Sequence, residues 1–349
     1  MQTSDFDFAF PEALIAYAPL PRGQSRLLVV DKAGDAGPIA DRTRNLAAYL
    51  APGDALVLND TKVLRARLQA STPAGGKVEA LLLKPLPAAE RGGSAWEAMV
   101  KPGKRFRAGD RIAFSHALIA TVREVREDGT RVLDFALGNE AFHAELEAIG
   151  KIPLPPYIKR EAEASDAAAY QSVFAARPGS VAAPTASLHL DQDALDAIAA
   201  KGVGIHKVTL HVGAGTFKPV QSEDLSGHVM HSESYVLSAG TAQALNAVRA
   251  KGGRIWAVGT TAARVLETCA VGSGGETFAP GSGETAIFIH PGYAWKGVDG
   301  LLTNFHWPKS TLFMLVCSLL GTERAKRIYA RAFSEGYRLF SYGDAMLIR

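Results

Sequence analysis

The chain has 349 residues, 47% of them apolar and 21% charged, with a net charge of +3. That is ordinary globular composition, long enough for two domains or one large one, and it excludes collagen-like and strongly disordered classes. The longest apolar stretch, Leu312 to Leu320, is too short for a membrane span, Met1–Asp5 shows no signal-peptide pattern, and Cys269 and Cys317 are too few for a disulfide framework, so a soluble cytoplasmic enzyme is expected.

In chain order, Asp41 to Leu50 reads as a short helix with Asp41 as N-cap, followed by a compact apolar strand, Ala55 to Leu58, stopped by Asn59-Asp60. From there to about Lys151 the pattern changes to short alternating runs: Val78–Leu83, Trp96–Val100, Arg111–Phe114, Ala117–Val122 and Arg131–Phe135. Strands at this spacing, divided by Gly, Pro and Asp turns, predict a small antiparallel barrel or sandwich. The proline-rich Lys151–Tyr157 segment cannot be helical and marks a domain boundary.

Beyond it, strand and helix alternate. Asp193–Lys201 reads as a helix, Val203–Val212 as a strand, Gly240–Lys251 as a helix and Arg254–Val258 as a strand leading into a helix from about Ala262. Thr285–Ile289 follows as a strand, then Ser310–Leu319 and Glu323–Phe333 as helices. This order predicts an α/β domain with a largely parallel sheet. Ala162–Ala169 and Gly272–Gly283 read as mobile loops.

Charge is unevenly spread. Between Asp60 and Arg111 there are eleven Lys or Arg against five Asp or Glu, with clusters at Lys62, Arg65, Arg67 and at Lys101, Lys104, Arg105, Arg107, Arg111. Such density suits a phosphate backbone; it also suits a solvated, salt-bridged strand surface.

Four segments carry chemistry. The glycines of His211-Val-Gly-Ala-Gly-Thr-Phe-Lys-Pro219, after a strand, let backbone approach a ligand, although the spacing matches neither a dinucleotide fingerprint nor a phosphate loop. His228-Val-Met-His231-Ser-Glu233 places two imidazoles and a carboxylate together without a zinc pattern, which suits proton handling or a hydrogen-bonded core cluster. In Val258-Gly-Thr-Thr-Ala-Ala-Arg264 a strand turns into a helix, offering free amides and hydroxyls to a carboxylate or ribose, or simply capping that helix. Thr303-Asn-Phe-His-Trp307 interleaves amide and imidazole with aromatics, which suits a flat heterocycle or a packed core.

Taken together with Leu14–Ala16, Arg22, Ser25–Leu28, Leu58–Val63, Ala66–Leu68, Pro153–Ile158, Tyr170-Gln171, Gly179–Ala186, Tyr337 and Phe340–Met346, these segments resemble the S-adenosylmethionine:tRNA ribosyltransferase-isomerases of the queuosine pathway over essentially the whole chain. Three positions depart from that family's text: Ser187-Leu-His-Leu190 in place of Gly-Leu-His-Phe, Ala169 in place of a common arginine, and Tyr17 in place of a frequent glutamine.

The resemblance implies an open, barrel-like α/β catalytic domain of residues 1–59 and 152–349, with an inserted antiparallel β-barrel domain of residues 60–151. It implies transfer of the ribosyl part of S-adenosylmethionine to 7-aminomethyl-7-deazaguanine at the tRNA wobble position. The sugar is isomerised to give epoxyqueuosine, and adenine and methionine are released. S-Adenosylmethionine is then a co-substrate, tRNA the partner, no metal or permanent cofactor is needed, and the protein is a monomer. The residues assigned to catalysis are His211, His228, His231 and Glu233, which would handle protons. Gly213, Gly215, Thr216, Gly259, Thr260, Thr261 and Arg264 would bind the co-substrate, Arg264 pairing with its carboxylate, while Asn304 and His306 read a heterocycle. Lys62, Arg65, Arg67 and Arg338 would contact RNA. Two other classes fit parts of the sequence: a non-catalytic tRNA-binding protein, and an S-adenosylmethionine-dependent RNA methyltransferase, whose product would be S-adenosylhomocysteine.

Overall fold

The computed structural model describes all residues except 35–36, 73–74, 89–91, 214–221, 229 and 274–275. The chain divides into two compact units. One comprises Met1–Thr61, Gln171–Arg177 and Ala183–Arg349; the other comprises Lys62–Tyr170 and Pro178–Ala182.

The first unit is organised by a nine-stranded sheet in the order Gly281–Thr285, Glu233–Leu237, Gly204–Leu210, Ala55–Asn59, Ile255–Val258, Gly300–Asn304, Ala345–Ile348, Arg26–Val30 and Ile39–Arg42. Every residue of Ala55–Asn59, Ile255–Val258 and Gly300–Asn304 is buried. These near-continuous apolar runs are what a parallel sheet covered on both faces requires. On one face Leu27, Val29, Leu56, Leu58, Trp256, Leu302 and Leu347 pack with Leu195 and Ile198 of the Gln192–Ala200 helix.

The sheet is mixed, not largely parallel. Gly204–Leu210, Ala55–Asn59, Ile255–Val258 and Gly300–Asn304 run parallel to their neighbours in turn, and Arg26–Val30 runs parallel to Ala345–Ile348. The remaining four pairings are antiparallel. The C-terminal strand returns against Gly300–Asn304, and the pair Glu233–Leu237 and Gly281–Thr285 is added at one edge.

Two expected elements shift. Where a helix was expected from Asp41, Ile39–Arg42 is a strand and Thr43–Tyr49 a 3-10 helix. The Asp41 carboxylate is drawn to the side chains of Asn45 (2.6 Å) and Tyr49 (2.5 Å) and to the Arg42 amide (2.8 Å), so it does not cap an α-helix. The strand expected at Thr285–Ile289 instead ends at Thr285 and begins at Gly281. Its glycines lie under Tyr235 of the neighbouring strand: a Cβ at Gly281 or Gly283 would sit 3.6 or 3.8 Å from that ring or its hydroxyl. The partner's aromatic supplies the packing that the glycines lack. Of the two expected mobile loops, one contains the short helix Asp166–Ala169 and the other the strand segments Ala270–Ser273, Glu276–Phe278 and Gly281–Thr285.

Gly300 is paired across the sheet with Trp256, and a Cβ there would lie 2.1 Å from Trp256 Cε3. Gly300→Ala is expected to lower stability by about 1–3 kcal/mol through overpacking, measured as a reduced urea midpoint at unchanged slope.

The second unit is built on a six-stranded antiparallel sheet in the order Arg67–Ser71, Lys77–Leu86, Ser94–Lys101, Arg131–Phe135, Ile119–Val125 and Arg111–Ala113. Its two outer strands approach within 8 Å, Cα to Cα, so the sheet nearly closes on itself. The Asn139–Ile149 helix buries Phe142 against Trp96 and Phe135, with ring centroids 5.7 and 4.8 Å apart.

Candidate active site

Four adjacent parallel strands end on the same side of the first unit's sheet, and three of them deliver chemistry-bearing segments. Ala55–Asn59 leads to Asp60-Thr61, Gly204–Leu210 to His211, Ile255–Val258 to Gly259-Thr260-Thr261, and Gly300–Asn304 to Phe305-His306. The carboxyl ends of parallel strands are where open α/β sheets place ligands, because the loops there diverge and helix N-termini point in.

At the first two strand ends Asn59 acts as a clasp. Its Oδ1 accepts from Leu210 N (3.0 Å) and its Nδ2 donates to Leu210 O (3.0 Å), which fixes where the neighbouring strand releases His211. Thr61 Oγ1 lies 2.8 Å from His211 Nδ1. Burial lowers the pKa of His211, and the nearby Asp60 carboxylate opposes that shift. The ring is therefore neutral near pH 7, oriented through Nδ1, with a counter-charge close by should it take a proton.

The Gly259–Thr268 helix starts directly from its strand, with Gly259 in the left-handed region at φ +86°. Its N-cap, Val258, makes no side-chain capping bond, so Thr260 and Thr261 are not spent on capping. Thr261 Oγ1, Ser187 Oγ and Arg264 Nε are buried without a hydrogen-bond partner among the described residues. Unpaired buried donors beside free helix amides form a receptive site for an anionic or hydroxyl-bearing ligand.

One turn into that helix Arg264 is buried and paired with the equally buried Glu233. The other oxygen of Glu233 accepts from Gly213 N at 3.0 Å. The pair thus joins the helix, the Glu233–Leu237 strand and the loop that follows His211. In this arrangement Arg264 is committed to a protein carboxylate. Gly215 and Thr216 lie outside the described residues.

His228 and His231 follow the Leu225–Gly227 turn. His231 is exposed; the His228 ring packs edge-on against Phe288 at 5.2 Å, and burial together with the neighbouring His231 lowers its pKa.

The Thr303–Trp307 segment is more tightly satisfied than a recognition loop would be. Asn304 Nδ2 lies 3.0 Å from His189 Nε2 and donates to Phe340 O (3.0 Å), while Oδ1 accepts from Thr185 Oγ1 (3.1 Å). Both amide hydrogens are used, so Asn304 has none left with which to read a heterocycle. His306 Nε2 is 2.7 Å from Thr303 Oγ1, Phe305 is fully buried against Tyr329 and Tyr337, and Trp307 stacks on Phe340 at 3.8 Å.

His189 was not singled out from the sequence; its only signal was its place inside the Ser187–Leu190 block. Burial, with Arg338 and Arg22 adding to it, pushes His189 down to about 4, and burial pushes His306 down to about 3. Both folded values lie below the ordinary 6.5, so the folded state refuses protons that the unfolded chain accepts. Stability contributed by these neutral rings is therefore complete above pH 6.5 and is lost as pH falls towards 4, at on the order of 2 kcal/mol per pH unit for the two together. His306→Gln should remove about half of that slope in urea melts taken between pH 6.5 and 4.5.

The expected RNA-contacting residues fall in both units. In the second, Lys62 is exposed, Arg65 pairs with Glu147 (3.1 Å), and Arg67 pairs with Glu79 (3.6 Å) and donates to Leu154 O (3.4 Å). In the first, Arg338 lies 3.7 Å from Asp344. Among the described residues no group of three His, Cys, Asp or Glu is placed to hold a metal ion, and no helix is long and apolar enough to cross a membrane.

The model of the queuosine biosynthesis protein family matches residues 3–348. The chain belongs to that family. Relatives named S-adenosylmethionine:tRNA ribosyltransferase-isomerase include one from Acidithiobacillus ferrooxidans, 52% identical over all of this chain and 98% of its own. Another, from Symbiobacterium thermophilum, is 51% identical over the full length of both. Among solved structures, the S-adenosylmethionine tRNA ribosyltransferase of Thermotoga maritima is 33% identical, covers 99% of this chain and 100% of its own, and superposes with a TM-score of 0.56. The matched residues span all four strand-end segments and also the Glu233–Arg264 pair.

Proposed function

We propose that this chain is an S-adenosylmethionine:tRNA ribosyltransferase-isomerase. It moves the ribosyl part of S-adenosylmethionine to the amine of 7-aminomethyl-7-deazaguanine in tRNA and rearranges the sugar to the epoxycyclopentanediol of epoxyqueuosine. Adenine and methionine leave. It does so as a cytoplasmic monomer, with the near-closed antiparallel unit an insertion in the chain of the α/β catalytic one.

The observation that carries the chemical reading is His211: neutral, held through Nδ1 by Thr61, at a strand end between a buried carboxylate–guanidinium pair and an uncapped helix N-terminus. With Nδ1–H donated to Thr61 Oγ1, Nε2 carries a lone pair and can accept the proton beside the sulfonium. The Asp60 carboxylate then favours the imidazolium that results. Glu233, paired with Arg264, positions the segment after His211 through Gly213 N, and His228 and His231 relay protons to departing adenine. Gly213, Gly259, Thr260 and Thr261, together with Gly215 and Thr216, hold the ribose and methionine ends, and Lys62, Arg65, Arg67 and Arg338 follow the RNA.

Purified protein, S-adenosylmethionine and tRNA carrying the aminomethyl base are to be incubated and the small products quantified by mass spectrometry. Adenine and methionine should appear in equal amounts with one modified wobble nucleoside. S-Adenosylhomocysteine would instead identify a methyltransferase, and unchanged S-adenosylmethionine with bound tRNA a non-catalytic RNA-binding protein; either outcome overturns the reading.

A further inference from the structure

The two basic clusters of the second unit fare differently in the fold. Arg65 pairs with Glu147 (3.1 Å) and Arg67 with Glu79 (3.6 Å). Arg123, Arg126 and Lys151 of the same unit are likewise matched, by Asp134 (3.3 Å), Glu97 (2.5 Å) and Glu161 (3.3 Å). Lys101, Lys104, Arg105, Arg107 and Arg111 are all exposed, and none of their side chains makes a hydrogen bond or ion pair among the described residues. A salt-bridged strand surface accounts for the first group and not for the second.

The sheet gathers free cations at one end. Its strands alternate in direction, so Arg67–Ser71, Ser94–Lys101 and Ile119–Val125 finish at the rim where Lys77–Leu86 and Arg131–Phe135 begin. Lys77 is exposed at that rim, and residues 102–110 lead across it from Ser94–Lys101 to Arg111–Ala113. This crossing segment is held in place. Phe106 is buried, its amide donates to Gly103 O (3.2 Å), and the buried Arg131 guanidinium donates to the same carbonyl. A Cβ at Gly76 would lie 3.4 Å from Arg105 Nη1, so the segment also lies against the hairpin that carries Lys77.

Carboxylates do not cancel these charges. Lys101–Arg111 contains one acid, Asp110, against five cations, and its carboxylate accepts from Arg107 N (2.7 Å). Of the other acids at this rim, Glu79 is taken by Arg67, Glu124 by Arg126 (3.0 Å) and Asp128 by Thr130 N (2.9 Å), which leaves Glu127. Pro73 and Ala74 of the neighbouring hairpin lie outside the described residues and carry no charge, and residues 89–91 connect the opposite ends of their strands. Crowded exposed like charges repel one another, and a polyanion relieves that repulsion while releasing its own counterions.

We infer that this rim of the six-stranded unit is a docking surface for the phosphodiester backbone of tRNA, with Lys101, Lys104 and Arg107 as its principal contacts. It is additional to Lys62, Arg65 and Arg67. The excess of positive charge belongs to the second unit alone; the choice of tRNA as the polyanion rests on the function proposed above.

The triple variant Lys101→Gln, Lys104→Gln and Arg107→Gln removes three charges without breaking a described side-chain bond. Binding of tRNA is to be measured by fluorescence anisotropy across a salt series, with turnover followed in parallel. The expected result is an affinity weaker by on the order of 10- to 100-fold, a dependence of log Kd on log salt shallower by about 2–3, and a raised KM for tRNA with unchanged KM for S-adenosylmethionine. Unchanged affinity and slope, with wild-type protein releasing adenine, would overturn the surface and leave the enzymatic reading intact. A wild type that binds tRNA with a slope the variant lowers, yet releases no adenine, would keep the surface and remove the enzymatic reading. A wild type that does not bind tRNA overturns both. Should circular dichroism show the triple variant unfolded, Lys104→Gln alone decides: a slope lowered by about 1 supports the surface and an unchanged slope overturns it. Vesicles of phosphatidylserine form the last arm. If the variant loses vesicle binding but keeps its affinity for tRNA, the rim meets an anionic membrane and the RNA assignment is wrong.

Discussion

His211→Gln is expected to slow single-turnover adenine release by ~100- to 10,000-fold, the usual worth of an aligned acid–base group, while tRNA binding changes little. Glutamine keeps a polar partner for Thr61 but cannot take a proton. The pH profile gives an independent handle. Because burial lowers the pKa of His211, and Asp60 only opposes that shift, its neutral form persists to pH values below the ordinary 6.5. The wild-type kcat/KM should therefore be flat through neutrality and fall on the acid side through an inflection below 6.5, as the imidazole protonates and ceases to be a base. In His211→Gln that acid limb disappears. A variant that keeps both the rate and the limb would move the proton-accepting role elsewhere, with His228 and His231 as the next residues to replace.

Arg264→Ala is expected to be the most destabilising substitution near the site, by about 3–5 kcal/mol, because it strands the buried Glu233 carboxylate without its counter-charge. Glu233→Ala should cost a similar amount by stranding the guanidinium, and it also removes the acceptor of Gly213 N. The double variant should lose clearly less than the sum, since neither charge then remains buried alone. Urea denaturation followed by circular dichroism gives all three values. Additive losses would mean that the two side chains stabilise the fold through separate contacts and not through each other.

The central strands were legible because each is a short, continuous apolar run bounded by turn residues: Ala55–Leu58 before Asn59-Asp60, and Ile255–Val258 before Gly259. The edge of the sheet was not. Gly281-Ser-Gly283 has no strand propensity of its own and becomes one because Tyr235 covers it from the adjacent strand, a contact nearly fifty residues away in sequence. The mixed character of the sheet was hidden for the same reason: Ala345–Ile348 could equally have run either way beside Gly300–Asn304.

For the candidate site, the strand-end positions of His211, Gly213 and Gly259–Thr261 were legible locally, from a strand running into a turn. Partnerships did not. Asn304 beside aromatics reads as a recognition residue until its amide is found shared among Thr185, His189 and Phe340, and His189 lies 115 positions away. Likewise Arg264 invites pairing with a substrate carboxylate, whereas folding has brought Glu233 to it across 31 positions. Spacing reports residues that are neighbours along the chain; the buried polar network is made by those that are not.

The most direct measurement follows two isotopic labels of S-adenosylmethionine, one in the ribose carbons and one in the S-methyl group, into tRNA carrying the aminomethyl base. Ribose label should enter the tRNA one for one with adenine released, and methyl label should leave with methionine. Methyl label fixed in the tRNA, or ribose label retained in an adenosine-containing product, would contradict ribosyl transfer by this protein.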